Sequence, residues 1–359
     1  MSSATGIYVF ITTIVQGLQY VFTPIKVITQ GGPNYASSNL IYASYHEAFT
    51  LYRTGTSSAI SILTMLLFIV LYFWNLNLWR RESTMKTNNH SEIGWHMILG
   101  AIVFLMLVPI VFALSNSFKT LQDAFNTIFE IIPSHPTLEN YRHVFEKLPF
   151  VQITLNTFLI AASVTAFKTI TSLFAAYSFV YFDYKGKQFF YFIMLSTMFI
   201  PFTVTMIPNY LMISKLGLRD CIWGVALPQF ADVLGIFLLR QAMRGIPKAL
   251  IEAARMEGIG SLKIMRDIIL PLVRPSILTT GIIFFINSWN EYVWPVLILK
   301  SKENYTLSLA LQMYISAEGG TEFTIAMAVS VITMIIPLAL YLIFQRYIIN
   351  TFAASGVKG

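Results

Sequence analysis

The 359-residue chain holds few groups suited to covalent chemistry. Its histidines, His46, His90, His96, His135 and His143, show no metal-ligand spacing. The single cysteine, Cys221, excludes an internal disulfide framework and a cysteine-based zinc or iron–sulfur site. The sequence contains no catalytic triad, no paired acid–base carboxylates and no G-x-x-x-x-G-K-[ST] phosphate loop. The polar groups that stand out lie inside or beside long apolar runs. They are Lys168, Asp232 and Glu291, with Asn209, Gln229, Asn287 and Asn290 as neutral companions. Ionisable side chains at bilayer depth are costly and face the interior of a helix bundle. Trp289, Tyr292 and Trp294 follow on the same run. Aromatic faces beside hydrogen-bonding groups suit a sugar or polyol, whose C–H faces stack and whose hydroxyls need partners. An aromatic belt at the outer interface accounts for the Trp294 end as well. For Lys168, a structural partner on a neighbouring helix and a solute phosphate are both open.

These groups must be held by membrane helices. Hydrophobic residues make up 56% of the chain and charged residues only 11%, far from the quarter typical of soluble domains. The mean hydropathy is +0.65. A span needs roughly 20 apolar residues. No charge falls in the stretches between residues 1 and 26, 53 and 80, 92 and 119, 187 and 215, or 322 and 346. Three more, at 153–181, 222–239 and 276–299, are interrupted by Lys168, Asp232 and Glu291. An all-α polytopic membrane protein of about eight helices is therefore expected. No basic residue precedes the first apolar run, so a signal peptide is a poor reading of it. With the first residue inside, 14 basic residues fall on cytoplasmic segments and 9 on outer ones. The positive-inside rule favours that orientation. The net charge of +7 is thereby explained without nucleic acid. Pro109, Pro201, Pro208 and Pro337 inside apolar runs predict kinks.

Seven of the 24 basic residues crowd into 240–275. Within loop 244–275, Pro247 suits a helix start, and residues 248–257 are good helix formers. Gly258 suits the left-handed residue that ends the helix. Ser261 is suited to cap a second short helix, and Pro271 to stop it. Leu250, Ile251 and Ala254 fall on one side by spacing, with Lys248, Glu252 and Arg255 elsewhere. Such a helix–turn–helix is either an amphipathic surface helix on lipid headgroups or a docking knob for a cytoplasmic partner.

The spacing Glu252-Ala253-Ala254, three residues, Gly258, nine residues, Ile268-x-Leu270-Pro271 resembles the EAA signature of ABC importer permeases. The resemblance implies that the first short helix is a coupling helix docking in an ATPase subunit, with Glu252 the acidic contact and Gly258 the turn. Residues 92–359 resemble a complete six-helix second permease subunit of the maltose and glycerol-3-phosphate importer type. They do so through Asn140-Tyr141, Asn156, Tyr184-Lys185-Gly186-Lys187, Leu216-Gly217-Leu218, Leu238-Leu239-Arg240-Gln241, Trp289-Asn290-Glu291-Tyr292, Trp294-Pro295 and Tyr305-Thr306-Leu307. Residues 1–91 resemble the two-helix C-terminal end of the first permease subunit, through Thr29-Gln30-Gly31-Gly32-Pro33, Leu40-Ile41-Tyr42, Tyr45 to Phe49 and Gly55 to Ser61. The polar stretch 80–91 reads as a junction, making the chain a fused or truncated reading frame, against the alternative of a genuine eight-helix permease.

The resemblance implies an importer permease in a bacterial cell membrane. Its solute would be a carbohydrate or glycerol-3-phosphate-like. Its partners would be a second permease subunit, an ATP-binding cassette dimer, an extracytoplasmic solute-binding protein and membrane lipid. ATP and magnesium would sit on the ATPase, and this chain would bind no cofactor of its own. An ion-gradient-driven secondary transporter is the alternative, but it has no need of an EAA loop. A membrane-embedded enzyme would need clustered catalytic groups that the sequence lacks.

Overall fold

The computed structural model describes residue 25 and residues 36–51, 53, 55–64, 66, 92–127, 130–200, 202–315 and 322–356. The first expected span, most of the second, the Thr29–Pro33 motif and the 80–91 junction lie outside the described residues. The described residues are helical without a β-strand. They divide into two compact units, one of 1–153 with 307–336 and one of 154–306 with 337–359. The 91/92 compositional boundary falls inside the first unit.

In the first unit, α1 (Leu40–Phe49) starts where Asn39 Oδ1 accepts from the Tyr42 amide at 2.7 Å. Its neighbour α2 covers 55–64. The hydroxyl of Ser44 meets those of Ser57 at 3.0 Å and Ser61 at 2.8 Å, all three buried. Small hydroxylated residues let membrane helices approach closely and satisfy one another. Next, α3 (Glu92–Ser117) carries Pro109, and its middle is apolar on every side, with Phe104, Leu105 and Met106 about two-thirds exposed. Such an all-round apolar surface suits lipid. Beyond it come α4 (Leu121–Asn126) and α5 (Glu139–Lys147). Asn140 fastens the end of α3 by donating to the carbonyls of Ser117 and Lys119, both at 2.8 Å, and accepts from Thr324 at 2.9 Å. Tyr141 pairs with the Ser117 hydroxyl at 2.8 Å. Lys119 is fully buried, its ammonium donating to the carbonyls of Thr127 and Glu130 at 2.7 Å each. α6 (Phe150–Tyr181) begins in this unit and continues into the second, as does the chain's last helix.

The second unit holds most of α6, then α7 (Lys187–Ser196), α8 (Phe202–Lys215), α9 (Ile222–Ala226) and α10 (Val233–Arg244). After these come α11 (Lys248–Met256) and α12 (Ser261–Trp289), then α13 (Val293–Ile298). α14 (Leu307–Ile315) returns to the first unit, and α15 (Phe323–Gly356) ends the chain. Ala176, Tyr177, Leu239, Met243, Ile251, Ala254, Ile264 and Ile269 form one buried core. Gly235 lets α10 lie against its neighbours, since a Cβ there would stand 2.4 Å from the Phe284 ring and 2.5 Å from the Ser172 hydroxyl.

Four described helices are long and apolar enough to cross a membrane, or five if a bent pair counts as one. This corrects three of the eight expected spans. The 187–215 stretch is not one helix. A 3₁₀ turn at Thr197–Phe199 and an extended Ile200 separate α7 from α8. Ile200 precedes Pro201 in sequence, and a residue before proline is pushed from the helical region. Pro201 itself is outside the described residues. The 222–239 stretch is bent by 45° between residues 229 and 233. The 276–299 span instead runs Ser261–Trp289.

Candidate functional site

The loop that carries the EAA spacing is built from local signals. α11 ends in a left-handed Gly258, φ +74°. The Ile259 amide donates back to the Ala254 carbonyl at 3.1 Å and the Gly258 amide to that of Arg255 at 3.0 Å. That pair of bonds closes a Schellman motif around a residue type free of Cβ strain. Ile251 and Ala254 turn inward and are buried. Ile268 and Leu270, from the far end of the motif, pack on the same core. Glu252, Ala253 and Arg255 face outward.

Three expectations for this loop are corrected. Leu250 does not join the buried stripe and is 44% exposed, because one helical step of about 100° carries it off the face that Ile251 and Ala254 share. Ser261 is not the cap. Gly260 occupies the capping position without a side-chain bond, and Ser261 begins the helix. Pro271 does not stop the second helix, which continues into the membrane as α12. A wide π turn at Met265–Ile269 opens the helix where the proline ring would meet the carbonyl four residues back.

The fastening of this loop escaped sequence reading. Tyr177 donates its hydroxyl to the Ser261 carbonyl at 2.9 Å, and Tyr181 donates to that of Met243 at 3.0 Å. Arg255 Nη2 donates to the Tyr181 carbonyl at 2.8 Å. The one sequence hint is that the two tyrosines stand four apart at the end of α6, on one face.

The second region is the break between α9 and α10. Asp232 caps α10 by accepting from the Gly235 amide at 2.9 Å, and its other oxygen lies 3.5 Å from Lys168 Nζ. The Lys168 ammonium also sits 5.3 Å from the Phe284 ring centroid. Thr171 donates to the freed Phe230 carbonyl at 2.8 Å, and Phe167 stacks on Phe230 with centroids 4.1 Å apart. Gln229 ties back to the Val225 carbonyl at 3.1 Å. Broken backbone at membrane depth needs such partners. Among the described residues no hydrogen bond links Asn209, Asn287 or Asn290 to this break. Asn209 is half-buried on α8, and the other two are exposed at the end of α12.

Glu291 stands past that end, accepting from the Trp294 amide at 3.3 Å at the start of α13. Trp289 was expected to offer its face to a solute. It is instead fully enclosed and stacked on Phe285, with centroids 5.7 Å apart. Trp294 is also enclosed and donates its indole N–H to the Gly224 carbonyl at 3.3 Å. Neither ring is an interfacial belt residue. Each is large enough that core packing outweighs the gain from a wet edge.

Asp220 was not singled out from sequence. It sits at φ +55° in an outer turn. Its carboxylate accepts from the amides of Lys300 at 2.8 Å and Ser301 at 3.0 Å, and from the Ser301 hydroxyl. Its carbonyl accepts from Asn304 Nδ2 at 2.7 Å. Burial pushes the carboxyl up, but these bonds outweigh it and hold the group at about 2. Asn156 ties the same outer loop by donating to the Glu303 carbonyl at 2.7 Å.

Residues 148–352 match the family model described as binding-protein-dependent transport system inner membrane component. The chain is 30% identical to the arabinooligosaccharides transport system permease protein AraQ of Halalkalibacterium halodurans, over 77% of this chain and 100% of that relative. It is 30% identical to the sn-glycerol-3-phosphate transport system permease protein UgpE of Yersinia pestis, over 72% of this chain and 95% of the relative. Its fold matches a bacterial ABC transporter involved in import of the acidic polysaccharide alginate. The TM-score is 0.65 at 24% identity, covering 74% of this chain and 99% of that one. A bacterial alginate ABC transporter solved with an alginate pentasaccharide-bound periplasmic protein matches at 0.53 and 16%, covering 71% and 93%.

Proposed function

The chain belongs to the binding-protein-dependent transport system inner membrane components, and from that premise we propose that it is one permease subunit of an ABC importer carrying a carbohydrate or glycerol-3-phosphate-class solute inward. The observation that carries this reading is the shape of α11. Its apolar stripe is buried, Gly258 turns the chain sharply, and Glu252 is left exposed. A knob of this kind suits a cleft in an ATPase subunit, where ATP and magnesium would be held. An ion-coupled carrier has no use for it. A solute-binding protein would deliver the solute from outside, and a second permease subunit would complete the pathway.

Within the pathway, the Lys168–Asp232 pair supplies the charge beside the α9–α10 break, with Gln229 next to it. Glu291, Asn209, Asn287 and Asn290 are further polar positions toward a hydroxyl-rich solute. The enclosed Trp289 is left out. Uptake is expected to fall when Asp232 or Glu291 is replaced, and unchanged transport by the pair of mutants removes both from the pathway. We also propose that residues 1–91 derive from the end of the partner permease and 92–359 form the complete second one. In support, 72% of this chain, a length that fits within 92–359, covers 95% of a glycerol-3-phosphate permease relative. Western blotting with an N-terminal tag tests this, since separate products would end the fused-polypeptide reading.

The docking reading is tested by co-purification with the ATPase subunit before and after Glu252→Lys and Gly258→Asp. Loss of association or of coupled hydrolysis is expected in both. Undiminished association and coupling in both would defeat it.

A further inference from the structure

A cleft of about 670 Å³ opens in the second unit between the end of α6, the start of α7, the end of α10 and α11. The orientation by basic residues places it at the cytoplasmic side. Five cations line it, Lys187, Arg240, Arg244, Lys248 and Arg255, against the carboxylates of Asp183 and Glu252. Two of the cations are occupied. Lys187 donates to the Phe182 carbonyl at 2.7 Å and pairs with Asp183 at 3.2 Å. Arg255 holds the Tyr181 carbonyl. Among the described residues no ion pair engages Arg240, Arg244 or Lys248, and Asp183 and Glu252 are the carboxylates of the lining. Arg240 stacks on Tyr191, with its guanidinium carbon 3.9 Å from the ring centroid. Its Nε is buried and has no acceptor among the described residues. A guanidinium stacked on an aromatic ring and lining a cleft with two further cations is organised for an anion that can accept in its forked geometry.

We propose that this cleft binds the phosphate group of an anionic ligand, with Arg240 as the forked contact and Arg244 and Lys248 as the supporting charges. The chemistry is shared by a phospholipid headgroup and a free phosphate. The surroundings suit the headgroup, since α7 borders the cleft through Lys187 and Tyr191 while its Phe189, Phe190 and Phe192 are 64%, 56% and 67% exposed. Those rings give acyl chains an apolar wall, and basic pockets on the cytoplasmic side recognise anionic headgroups. The inference goes beyond ATPase docking, although the cleft shares α11 and Glu252 with that reading.

The full chain, purified in uncharged detergent, can be examined by native mass spectrometry with added phosphatidylglycerol, phosphatidylcholine or inorganic phosphate. Phosphatidylglycerol is expected to be retained in preference to phosphatidylcholine. Arg240→Gln, and separately the doubly exposed pair Arg244→Gln with Lys248→Gln, should each cut that retention by about tenfold. Lys263→Gln with Arg266→Gln, elsewhere on the same loop, should leave it unchanged. Displacement by millimolar inorganic phosphate would assign the site to free phosphate, and persistence of the lipid to the headgroup. Equal retention in wild type and in the cleft variants would overturn the proposal. So would cleft variants that keep the lipid but lose the ATPase subunit, because the cleft would then be part of a protein contact.

Discussion

Loop 244–275 and the α9–α10 break both interrupt apolar helix, and they hold their shape by opposite means. The loop buries Ile251, Ala254, Ile264 and Ile269 and turns its charges outward. The break turns charge inward, where Asp232 serves a helix end and Lys168 at once. Exposed Glu252 is therefore open to a partner, while Asp232 and Lys168 hold the break together as well as lending it charge. Substitutions at the two places should separate stability from function.

The largest stability effect is expected where the break is packed most closely. Gly235→Val would force a side chain into the Phe284 ring and the Ser172 hydroxyl and should destabilise the chain by about 3 kcal/mol. Thermal unfolding in detergent would show it, and an unshifted transition would mean that α10 is free to move away. Asp232→Ala removes both the cap and the ion-pair partner and should cost about 2 kcal/mol. Asp232→Asn keeps a capping oxygen and should cost less. Equal losses in the two would assign the whole effect to the charge. On the loop side, Tyr177→Phe deletes one bond to the Ser261 carbonyl and should cost about 1 kcal/mol. Local hydrogen exchange around residues 259–264 would rise if the tyrosine fastens the loop.

The smallest effect is a pH dependence at the outer turn. Asp220 is held at about 2 in the folded chain, below the ordinary 3.8. Its hydrogen-bonded carboxylate therefore contributes stability above about pH 4 that is lost as pH falls toward 2. Wild type should lose more thermal stability than Asp220→Asn over that interval. Parallel losses would place the acid sensitivity elsewhere.

The two regions also differed in how far they could be read from sequence. The turn at Gly258 and the buried pair Ile251 and Ala254 follow from residue type and helical spacing within a dozen positions. Pro271 misled because its cost is absorbed by a π turn, a tertiary accommodation that spacing does not encode. The break was visible only as an ionisable residue in an apolar run. Its cap on Gly235 is local, but its bond to Lys168 spans 64 residues, and the Thr171 contact with Phe230 spans 59. Trp289 and Trp294 were read as interface or solute groups because their enclosure depends on Phe285 and Gly224, the second far away in sequence. Asp220 was missed for the same reason, with its partners 80 residues on. Among the described residues the 187–215 stretch is divided and the 222–244 stretch bent for a related cause, since hydropathy registers apolar length and not continuity.

The most direct test places Glu252→Lys and Asp232→Ala side by side, measuring thermal stability and co-purified ATPase subunit on the same samples. Glu252→Lys should keep stability within about 0.5 kcal/mol of wild type and lose the ATPase subunit. Asp232→Ala should lose stability and, where folded, keep the subunit. A Glu252→Lys chain that is as stable as wild type and retains the ATPase in full would contradict the assignment of α11 as the docking element.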